Sequence, residues 1–136
     1  MANAEFILPL TMPVIGQTGT APIDGTAVAH LGLDYAGVVY RTTGATARTV
    51  TVDFGSDVEI DRLMLFGLKG FPIAATMRVS CSTNAQGATY AAFASAIVPV
   101  HAGDNRLVNG FGVGYLALNG APAARYWRIE FASLAN

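Results

Sequence analysis

"TVTVDFGSDVEIDRLMLFGL", Thr49 to Leu68, is the most regularly patterned stretch of the chain. Val50, Val52 and Phe54 alternate with Thr49, Thr51 and Asp53. A period of two with β-branched residues is the mark of a half-buried strand, because successive side chains of an extended backbone point to opposite faces. Gly55-Ser56-Asp57 predicts a turn that ends this strand. Val58 and Ile60 then lead into "RLMLFGL", where Leu63 and Leu65 face one way and Met64 and Phe66 the other. Both faces are apolar, which predicts a central strand covered on both sides. The stretch also contains Asp53-Phe54-Gly55, the triplet that holds magnesium in protein kinases. A kinase also needs a Gly-rich phosphate loop, a strand lysine and a catalytic-loop Asp and Asn. None of these is present, so Asp53 reads as a strand end and not as a metal ligand.

The same alternation recurs downstream. In "AATMRVSCS" Met77, Val79 and Cys81 point inward and Arg78 and Ser80 outward. In "AARYWRIEF" Trp127, Ile129 and Phe131 oppose Tyr126, Arg128 and Glu130. "YLALN" is a short strand, and "HAGDNR" and "NGFG" are loops. The Ala-rich run Ala85 to Ile97 has a helical composition, but Gly87, Thr89 and Pro99 favour a turn and an irregular strand from Thr89 to Val98. The first 45 residues are rich in Gly, Thr and Ala and weakly patterned, with short extended pieces at Glu5 to Leu8, Ala27 to Leu31 and Val38 to Arg41. Strands separated by Gly/Asn/Asp turns, with no sustained helical period, predict an all-β fold, an antiparallel β-sandwich with little or no helix. It divides into an N-terminal arm with the first strands (1–45), read as a docking segment, and the sandwich core (46–136) of a single domain.

Composition narrows the function. The chain has 136 residues, enough to bury a core without a disulfide or a structural metal. It opens on Met1 and reads as a complete small gene product. Hydrophobic residues make up 52% and charged residues 12%, with Lys69 the single lysine; a soluble domain typically carries about 25% charged residues. Such a surface predicts cover by copies of the chain or by partners, hence a homo-oligomer. Net charge is −1, and no basic run exists to grip nucleic acid. Cys81 is the only cysteine, which excludes an internal disulfide and a paired-cysteine zinc site. With no basic neighbour to lower its pKa, Cys81 reads as a small buried hydrophobe. No apolar run reaches the ~18 residues a membrane-spanning helix needs, so no membrane insertion is expected. The N-terminus lacks a positive start, and Pro9 and Pro13 break its apolar stretch, so it does not read as a secretory signal.

The order "VYRTT" (Val39–Thr43), "TVTVDFG", "VEIDRLML", "ATMRVSCSTN" and "ARYWRIEF" resembles the galactose-binding-like jelly roll of discoidin and coagulation factor 5/8 C-type domains and many carbohydrate-binding modules. In that family a strand ends in a "vdlG" turn, a later strand carries "v..S.dg", and a near-terminal strand reads "aRYvRi". Tyr40 and Tyr90 stand where the family carries Trp. The resemblance implies a jelly roll of the kind found in small bacteriophage virion proteins, whose Ala/Gly/Thr-rich, Lys-poor composition this chain shares. It therefore implies a non-enzymatic structural or decoration component of a phage head or tail, made in the host cytoplasm, with other virion proteins as partners. The alternative it implies is an adhesive module recognising host surface glycans.

For a glycan, rings with polar neighbours are the candidates: Tyr35 with His30, Asp34 and Arg41, and Phe111 with Asp104, Asn105 and Arg106. An aromatic face stacks on a sugar while Asp, Asn, His and Arg hold its hydroxyls. Tyr40, Tyr90 and Tyr115 have the same residue type but read as packing. His30 and His101 read as loop histidines, since no Gly-x-Ser-x-Gly nucleophile accompanies them. Asp24 or Asp34 could serve a calcium ion, but no Asp-rich loop supports one. No cofactor or metal is expected. Arg125 and Arg128 read as structural; the resemblance implies that Arg128, on the last strand, pairs with a carboxylate or a loop carbonyl.

Overall fold

A computed structural model describes residues 14–18, 47–68, 72–82, 90–100 and 112–132, which form strands, turns and extended segments with no helix. The strands are β1 (Val14–Thr18), β2 (Arg48–Val58), β3 (Arg62–Leu68), β4 (Thr76–Ser82), β5 (Phe93–Ala94), β6 (Val98–Pro99), β7 (Gly112–Ala117) and β8 (Ala124–Ala132). One sheet has the order β1-β2-β8-β4-β5, with β6 also paired to β4; a second holds β3 and β7. Every pairing is antiparallel. The described residues are thus all-β.

The alternation read in the sequence decides which residues enter the core. Val50, Ile129 and Val79 lie abreast on three adjacent strands, as do Val52, Trp127 and Cys81. All six are at most 6% exposed. Leu63 and Leu116, paired across the second sheet, join them in one hydrophobic cluster with Met77, Phe131 and Leu118. The Trp127 indole N–H donates to the Ala124 carbonyl at 2.8 Å, so the ring is buried without an orphaned donor. Cys81 is fully buried, as its place in the alternation requires.

Three features depart from the sequence reading. The strand expected to end at Asp53 runs on to Val58. Five steps along β2, from Asp53 to Val58, oppose only two along β8, from Tyr126 to Ala124. The surplus residues form a bulge instead of a chain reversal, made feasible by Gly55 at φ +77°. The central strand is β8, hydrogen-bonded on both sides, and not β3, which among the described residues pairs only with β7 and leaves Met64 and Leu65 half-buried. β1 falls in a segment read as unpatterned; Val14-Ile15-Gly16-Gln17-Thr18 shows no alternation, and its register on β2 itself shifts between Val14 and Gly16.

The irregular strand expected from Thr89 to Val98 is resolved into two short pieces, β5 and β6. Ser95 joins them to β4. Its backbone N–H donates to the Val79 carbonyl (2.8 Å), and its hydroxyl accepts from the Val79 N–H (3.0 Å) while donating to the Ala96 carbonyl (2.8 Å). The side chain thus substitutes for a ladder acceptor where the segment leaves regular pairing.

Candidate functional site: the ion-paired face of the main sheet

The face of β2, β8 and β4 turned away from the core carries the polar half of the alternation. Registers place Thr49, Glu130 and Arg78 in one row, Thr51, Arg128 and Ser80 in the next, and Asp53, Tyr126 and Ser82 in the third. Such directly opposed side chains are close enough to interact.

In the first row Arg78 pairs with Glu130 through the Nε side of its guanidinium. Its Nε and Nη2 donate to the same carboxylate oxygen, Oε2, at 2.9 and 2.8 Å. Arg128 Nη2 approaches that oxygen at 3.5 Å. Its Nε donates to the Ser80 hydroxyl at 3.3 Å, and its guanidinium lies 4.5 Å from the centre of the Tyr90 ring. A guanidinium stacks well on an aromatic face because it is planar and weakly hydrated. This stack explains why Ser80, on the outer face as expected, is nonetheless buried. Tyr90 is buried too, so it serves packing.

Asp53 of the third row forms a bidentate pair with Arg125, the neighbour of Tyr126 along β8. Arg125 Nε and Nη2 donate to Asp53 Oδ1 and Oδ2 at 2.7 and 2.9 Å. Oδ1 also accepts the Gly55 backbone N–H at 2.7 Å. These donors, the guanidinium first and the Gly55 amide second, hold the Asp53 carboxyl below its usual pKa, and the carboxylate in turn raises that of Arg125. The Arg125 guanidinium also lies 4.9 Å from the Tyr126 ring centre. Asp53 is therefore a structural clamp on the bulge. The acids that follow, Asp57, Glu59 and Asp61, are exposed.

Chemically this face is quiet. Both carboxylates are engaged by arginines, and arginine exchanges no proton at ordinary pH. The Cys81 thiol is buried in the core, and burial pushes its pKa up, away from the reactive thiolate. Among the described residues no three His, Cys, Asp or Glu side chains gather as a metal site.

A second surface is apolar. Phe93, Val98 and Pro99 on one side and Tyr115, Leu116 and Asn119 on the other flank an open groove of about 550 Å³, with no charged residue in its lining among the described residues. Ile97 and Ile73 stand out from the described surface at 66% and 76% exposure, and Tyr115 at 37%.

The candidate glycan residues His30, Asp34, Tyr35, Arg41, Asp104, Asn105, Arg106 and Phe111 lie outside the described residues, as do His101, Asp24 and Tyr40. Of the pairings found, Arg128 with a carboxylate was one of the two partners, carboxylate or loop carbonyl, that the family resemblance implied. Arg78–Glu130 and Arg125–Asp53 were not legible from the sequence, because each depends on register between strands far apart in the chain. No protein-family model matches this sequence, and neither the curated proteins nor the solved structures contain a match to it.

Proposed function

We propose that the chain is a non-enzymatic β-sandwich of the jelly-roll, galactose-binding-like type, a structural or decoration component of a bacteriophage particle that works through protein–protein contacts. The observation that carries this reading is the surface. Ile73 and Ile97 are large apolar side chains held in solvent, Ile97 between two residues that line the groove, in a chain with only 12% charged residues. Large exposed apolar side chains of this kind favour association. Asp53, Arg78, Arg125, Arg128 and Glu130 on the main sheet engage one another, which suits a scaffold better than a catalyst. The sandwich reading draws on two antiparallel sheets that share one core cluster.

The test is the mass of the purified protein in solution by light scattering, together with its detection in purified particles. Assembly above the 14.1 kDa of one chain, reduced by Ile97→Asp without loss of folding, supports the reading. A monomer at all concentrations that is absent from particles refutes it.

The glycan-binding alternative draws on one described feature: Tyr115 lies along the groove with Asn119. A ring beside an amide is suited to a sugar. Saturable signal on a glycan array, abolished by Tyr115→Ala, would favour it over the leading reading.

A further inference from the structure

We draw no further inference here: the strongest candidate, the uncharged groove between the Phe93–Pro99 segment and β7, is an apolar surface with nothing in the structure to show what covers it.

Discussion

Replacing Ile129 by Ala tests the fold at its centre. Ile129 is 6% exposed on β8, abreast of Val50 on β2 and Val79 on β4. The substitution removes three carbons, and at about 0.8 kcal/mol per buried CH₂ the transfer term is about 2.4 kcal/mol. A cavity term adds to it, because Val50 and Val79 sit on strands hydrogen-bonded to β8 on either side and cannot close the gap. The expected total is about 3–4 kcal/mol, within the range found for such truncations. For a domain of this size that lowers the melting temperature by roughly 10–14 °C. Ile97→Ala makes the same chemical change at a side chain 66% exposed, and should cost no more than about 0.5 kcal/mol. Urea denaturation of both variants, read by Trp127 fluorescence, gives the two numbers. The comparison tests register, since a one-residue slip of β8 would move its whole apolar set to the outer face. A cost below about 1 kcal/mol for Ile129→Ala, or equal costs for the two, would refute the assignment of faces.

Three further outcomes follow from the local geometry. Asp53→Asn removes the carboxylate that accepts from both Arg125 and Gly55. Because the folded pKa of Asp53 lies below the usual carboxylate value, its contribution is fully present above the unfolded pKa and is lost as pH falls through the folded one. The gap in stability between wild type and Asp53→Asn should therefore be constant near neutrality and close on acidification below about pH 4; a gap unchanged down to pH 2 would sink the clamp. Gly55→Ala meets no atom within 4 Å but must hold φ at +77°, so denaturation should show a loss of about 1–2 kcal/mol from strain alone, and Gly55→Asn a smaller one. Cys81 should resist a thiol reagent in the native protein and react fully in denaturant, whereas rapid native labelling would contradict its burial.

Legibility followed the range of the interaction. β2, β4 and β8 could be read because their alternation is local: Val50, Val52, Met77, Val79, Trp127 and Ile129 each declare a face through their neighbours in sequence. β3 was misjudged for a reason of the same kind. Leu63 to Leu68 is apolar on both faces, and such a run is ambiguous between a central strand and one in a small sheet with a half-covered side. Composition says how much apolar surface a strand has, not which partner supplies its cover. The bulge at Gly55 was read as a reversal because Gly-Ser-Asp fits either; only the pairing of Val58 with Ala124 separates them. β1 gave no signal, since a strand added at the edge of β2 needs backbone groups more than a side-chain pattern.

The polar face shows why the alternation alone does not yield function. Arg78, Ser80, Tyr126, Arg128 and Glu130, read as sharing the polar side of β4 and β8, do fall in aligned rows, yet facing outward did not mean being available. Glu130 is shared between Arg78 and Arg128, Asp53 is held by Arg125, and Ser80 lies under a guanidinium stacked on Tyr90. A side chain committed to a neighbour must break that contact before it can bind anything else, and an arginine–carboxylate pair with good geometry gives up its partner at a cost. An apolar side chain in water carries the opposite balance, because covering Ile73 or Ile97 releases water and breaks no contact between protein groups. On this described surface the balance of costs favours association through the apolar positions over recognition through the ionic ones. Charge reversal at Arg78 should accordingly disturb stability more than assembly, while Ile97→Asp should do the reverse. Paired denaturation and light-scattering measurements on the two variants would expose the argument as wrong if the order were inverted.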